Sequence, residues 1–149
     1  MTKILLSLHV LAAIVAIGPV TVAASMFPPA ARRATPTGVG TVALLHRICR
    51  VYAGVGLTVP VLGFATAAAM GVLGSGWLVT SIALTAAAAG VLAAFVLPRQ
   101  EELLGQLRDE QALDHRDTVQ LAMFTGIFNL LWATVTVLMI VRPGSTTGA

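Results

Sequence analysis

Between Arg50 and Arg99 lie forty-eight consecutive residues, 51–98, without one acidic or basic side chain. As a single helix they would extend ~72 Å at about 1.5 Å per residue, more than twice the ~30 Å hydrocarbon core of a bilayer. The run must turn back on itself. Gly74-Ser75-Gly76 is the natural place, because glycine adopts backbone conformations that other residues resist. Two apolar helices are therefore expected, at about 51–72 and 77–97, with Pro98 closing the second because proline cannot continue a helix interior.

The rest of the 149 residues repeats the pattern. Residues 4–31 contain no Asp, Glu, Lys or Arg, which predicts a span at about 4–27 that stops at Pro28-Pro29. Residues 118–141 form a fourth apolar run, closed by Arg142-Pro143 and followed by a loose tail. Two polar connections separate the runs. Residues 28–50 hold four arginines, Arg32, Arg33, Arg47 and Arg50; the part from 39 to 50 reads as a short interfacial helix or an extension of the next span. Residues 98–117 hold all six acids beside Arg99, Arg108 and Arg116, and Leu103, Leu104 and Leu107 predict a short amphipathic piece at the surface.

The chain is 57% apolar and 10% charged, where soluble domains carry about a quarter charged residues. A chain this short cannot bury so much apolar surface inside itself, so lipid is the solvent that fits. The expected fold is all-α: one integral membrane domain, 1–149, built as a four-transmembrane-helix bundle. The two polar connections together carry seven Lys/Arg; the opposite side carries two, Lys3 and Arg142. The positive-inside rule then puts loops 28–50 and 98–117 in the cytoplasm and both termini outside. Ala23-Ala24-Ser25 offers a signal-peptide cleavage site, but the apolar run is longer than a usual leader's and its basic flank is Lys3 alone, so a retained first helix is expected. The net charge of +3 does not indicate nucleic acid, because the nine basic residues form no dense face.

In lipid, helices associate through close packing of small residues. Spacings of four place Gly63, Ala67 and Gly71 on one face of the second span and Ala86, Gly90 and Ala94 on one face of the third. Thr118, Ala122 and Gly126 do the same in the fourth. Each stripe is expected to pack within a tight bundle. Pro60 is expected to bend the second span and free a carbonyl for a neighbour. Asn129, near the middle of the fourth span beside Trp132, is expected to hydrogen-bond across helices.

His9 is the one residue within a span that titrates near neutral pH. Intramembrane ionisable groups are candidates for function, here a ligand or a proton-linked role. The bland alternative is a neutral histidine satisfied by a hydroxyl or backbone partner, with Thr66, Ser81, Thr85, Thr134 and Thr136 at similar depth. A bis-histidine haem is not expected, since His46 and His115 lie at the other boundary; one axial ligand from His9 is all that a haem could draw on. His46 and Cys49 form H-x-x-C, two metal-ligand types one turn apart, but two ligands do not close a site and none is assigned. An interfacial histidine and a buried thiol are the plainer reading. No phosphate-binding glycine loop, H-E-x-x-H or G-x-S-x-G is present, and no span carries paired carboxylates. An enzyme is therefore not expected, and no catalytic residue is assigned.

The opening Leu5-Leu6-Ser7-Leu8-His9-Val10-Leu11-Ala12-Ala13 with Gly18-Pro19, and the ending Leu138-Met139-Ile140-Val141-Arg142-Pro143-Gly144, resemble a family of small bacterial integral membrane proteins of no assigned activity. That resemblance implies four membrane helices. Leu8-His9-Val10-Leu11-Ala12 also resembles the first helices of copper-resistance and haem-linked membrane families, over one helix and without their second intramembrane histidine. The expected role is a non-enzymatic accessory or interaction subunit in a bacterial cytoplasmic membrane, contacting lipid and a membrane-protein partner or further copies of itself. The alternatives are a haem- or metal-binding protein using His9, and a small-solute carrier acting as a homo-oligomer.

Overall fold

The computed structural model describes residues 2–33 and 38–141. The expected closure at Arg142-Pro143 and the tail beyond it lie outside the described residues. All regular structure among the described residues is helical: α1 (Thr2–Arg32), α2 (Val39–Val55), α3 (Thr58–Met70), α4 (Gly76–Val91), a π-helical turn (Leu92–Val96), α5 (Leu97–Arg108) and α6 (His115–Val141). They join into four columns, Lys3–Arg32, Val39–Met70, Gly76–Arg108 and His115–Val141. Each is long and apolar enough to cross a membrane, as in a multi-pass membrane protein.

α1 is the hub. It packs against α2, α3 and α6; α4 packs on α6, and α2 meets α5. The buried core draws Phe27 from α1, Val42 and Cys49 from α2, Val96 from the π turn, Leu103 from α5 and Leu121 from α6. These residues gather towards the end of the bundle that carries the polar loops, called the charged end below. α3 contributes nothing to that cluster, and its buried residues are Thr66 and Ala67.

Proline acts in three different ways. α1 does not stop at Pro28-Pro29 but runs on to Arg32. Pro28 is itself buried, beside Phe27 and Ala31 on the packed part of α1, so burial holds a turn that proline weakens. Pro60 does break its column, one turn upstream. Its nitrogen cannot donate to the Gly56 carbonyl, which instead receives Val59 N–H at 3.1 Å, while the Thr58 hydroxyl donates to the Val55 carbonyl at 2.8 Å. Pro98 does not end the third column. The π turn takes up one extra residue, and Leu97 N–H bonds back to the Leu92 carbonyl, so Pro98 sits in the first turn of α5 where no N–H is required. As a result residues 39–50 and 97–108 extend the second and third columns. The expected separate surface helix near Leu103 is instead part of a continuous column with Leu103 and Leu104 in the core.

The small-residue stripes divide. Gly63 and Ala67 lie on the inner side of α3, whereas Gly71 takes the left-handed conformation (φ 70°) and terminates that helix, so it is a cap and not a packing residue. Ala86, Gly90 and Ala94 all point outwards, correcting the expectation that they pack in the bundle. The reason is angular. Ala88, Leu92 and Val96 are the buried positions, two residues along and about 200° around the helix. In α6 the buried seam is Thr118, Leu121, Thr125 and Phe128, at steps of three, four and three, and then Val135 two turns on. Steps of four alone drift off it, which leaves Ala122 exposed and Gly126 half-buried with no neighbour near its Cβ direction.

Candidate functional site

Two histidines are placed at opposite ends of the bundle. His9, on α1, reaches α3, where its Nδ1 lies 2.9 Å from the Val59 carbonyl oxygen. A carbonyl only accepts, so Nδ1 carries the proton and donates it. The Cε1 corner of the ring abuts Gly63: a Cβ built there would come within 2.8 Å of His9 Cε1. Glycine is what lets the imidazole reach the α3 backbone. None of the hydroxyls at similar depth serves His9. Thr66, Ser81, Thr85, Thr134 and Thr136 each donate to the carbonyl four residues back in their own helix. The arrangement fastens α3 to α1 and satisfies the histidine by backbone.

The second histidine belongs to a network that sequence reasoning missed. α2 carries His46 and Cys49 one turn apart on its inner face, and α5 brings Gln100 against both. His46 Nδ1 donates to Gln100 Oε1 at 3.0 Å, and Gln100 Nε2 donates to Cys49 Sγ at 3.6 Å. All three are buried; Gln100 and Cys49 are fully so. Phe27 of α1 meets the His46 ring edge-on, centroids 6.4 Å apart at 65°. His46 Nε2 is buried and has no hydrogen-bond partner, a condition shared among the described residues by the hydroxyls of Thr21 and Thr125. His46 and Cys49 were expected as an interfacial histidine and a buried thiol; the histidine is buried as well. Gln100 was not singled out because the residues from 98 onwards read as a polar loop, and only the π turn before Pro98 carries the helix far enough to turn this amide inwards.

Beside the network a groove of about 750 Å³ opens between α2 and α5. His46 contributes to its wall, with Arg47 and Arg50 from α2 and Glu101 and Arg108 from α5. Arg47, Arg50, Glu101 and Arg108 are all exposed. The neighbouring Arg99 is engaged differently, 3.2 Å from Glu102 and 3.8 Å from Asp117. A smaller hollow of about 330 Å³, between Arg32 and His115, is bridged where Arg32 Nε donates to Thr118 Oγ1 at 2.9 Å and Thr118 donates to the His115 carbonyl at 2.8 Å.

Asn129 links two columns. Its Nδ2 donates to Ser25 Oγ of α1 at 3.1 Å, and its Oδ1 accepts from Trp132 Nε1 at 3.3 Å. It does not meet His9, which lies sixteen residues earlier than Ser25 in α1, about 24 Å by helical rise. His9 and Phe27, the neighbour of His46, are eighteen residues or about 27 Å apart on the same helix, so the two histidines cannot flank one haem. Among the described residues no three of His, Cys, Asp and Glu are grouped to hold a metal ion. Comparison with family models, with curated proteins and with solved structures finds no match.

Proposed function

We propose that this chain is a non-enzymatic, multi-pass protein of a bacterial cytoplasmic membrane that packs against another membrane protein or a second copy of itself, as an accessory subunit. The observation that carries the reading is the outward face of α4. Ala86 and Gly90 on α4 and Ala94 in the π turn that follows are all exposed, and a Cβ at Gly90 would meet nothing within 4 Å. Other outward positions hold bulky apolar residues, such as Leu11 and Ile14 on α1 or Leu130 and Val137 on α6. Lipid chains do not require a smooth strip; a neighbouring helix gains by one, because small residues let backbones approach.

The charge distribution supports an orientation with the charged end in the cytoplasm and the termini outside. The His9 geometry gives the haem- or metal-binding alternative no support, since the ring is committed to α3 by a hydrogen bond and by contact with Gly63.

Cysteine crosslinking in native membranes tests the reading. Cys49 is buried and is the sole native cysteine, so an Ala94→Cys variant reports contact at this face with little background. A crosslinked species containing this chain is expected, and Gly90→Leu should remove it. A protein that stays uncrosslinked and leaves the membrane in mild detergent as a lone monomer would refute the proposal.

A further inference from the structure

We propose that the groove between α2 and α5 is a binding site for the phosphate of an anionic phospholipid. Three features converge there. Arg47, Arg50 and Arg108 line it against one acid, Glu101, leaving a net charge of about +2 at formal values. Neither Arg47, Arg50 nor Arg108 is held by a salt bridge among the described residues, in contrast to Arg99. Guanidinium groups match phosphate oxygens in shape as well as charge, and basic pockets between membrane helices on the cytoplasmic side take such headgroups.

The second feature is His46. It is 6% exposed, it forms part of the groove wall, and its Nε2 has no partner. A buried ring nitrogen left open is costly unless something meets it. Gln100 already accepts the Nδ1 proton, which leaves Nε2 as the unpaired polar atom of a ring that forms part of the groove wall.

The third feature selects a lipid over free phosphate. Arg50 is the last charged residue before the uncharged run 51–98, which sets the groove at headgroup depth. Val51, 54% exposed and on the bilayer side of Arg50, supplies an apolar wall where an acyl chain can lie beneath the phosphate.

The test uses the full chain in neutral detergent, titrated separately with phosphatidylglycerol, phosphatidylcholine and glycerol 3-phosphate, with bound lipid counted by native mass spectrometry. One phosphatidylglycerol per chain is expected, at least tenfold tighter than phosphatidylcholine, with no stable adduct of glycerol 3-phosphate. The double variant Arg47→Gln/Arg50→Gln should weaken phosphatidylglycerol at least tenfold while keeping its helical circular dichroism; both side chains are exposed, so the fold does not depend on them. Arg99→Gln should leave the affinity within twofold. Glu101→Gln, which removes the acid facing the site, should tighten it at least twofold. Equal binding of phosphatidylcholine, equal binding of the free glycerol phosphate, or an unchanged double variant would each overturn the proposal. None of these readouts depends on contact through α4, so this site and the proposed role fail separately.

Discussion

The two ends of this bundle satisfy a histidine in opposite ways. At the plain end, His9 gives its proton to a main-chain carbonyl, Val59 O, and rests on Gly63. At the charged end, His46 gives its proton to a side chain, Gln100, which itself leans on Cys49. The first solution needs one glycine and a backbone that is always present. The second needs three side chains from two helices and leaves one nitrogen open. A backbone acceptor fixes the histidine's tautomer outright, because a carbonyl cannot donate. An amide can be turned over, so the network at the charged end is switchable in principle and the contact at the plain end is not. Packing follows the same division: the hydrophobic core lies with His46, whereas α3 rests chiefly on α1.

The largest effect should come from breaking the charged end. Gln100→Ala strands His46 Nδ1 and Cys49 Sγ in a fully buried site and opens a cavity, costing about 3 kcal/mol or more. Reversible unfolding in detergent would measure it, and a loss below about 1 kcal/mol would mean that the network is not formed. Next comes Gly63→Ala, which drives a methyl group into the His9 ring and should cost about 1–3 kcal/mol. In a His9→Ala background that cost should largely disappear, and a double-mutant cycle with no coupling would break the pairing. His9→Phe keeps a ring but loses the hydrogen bond to Val59, for about 1 kcal/mol. Smallest is Gly90→Ala, whose new methyl group meets nothing; stability of the isolated chain should stay within about 0.5 kcal/mol, in contrast to the same change at Gly63.

Hydropathy made the four columns legible, because a run such as 51–98 has no other physical home than paired membrane helices. The break near Pro60 was legible too, since the missing N–H acts locally. Column lengths were not. Pro28-Pro29 and Pro98 carry the same local penalty as Pro60, but burial in one case and a π turn in the other absorb it, and both depend on neighbours the sequence does not display. Spacings of four found Gly63, which faces His9, and equally found Gly90, which faces outwards. Periodicity says which residues share a face but not what that face meets. Gln100 was hidden for the related reason that a polar residue after proline, among acids, has the composition of a loop.

Nitrogen-15 spectra of histidine-labelled protein in lipid nanodiscs, recorded with and without phosphatidylglycerol, bear most directly on the contrast between the two ends. The expected result is a proton on Nδ1 of both His9 and His46 in neutral lipid, with the anionic lipid shifting the His46 nitrogens and leaving those of His9 unchanged. A proton on Nε2 of His9, or a His46 signal indifferent to the anionic lipid, would contradict it.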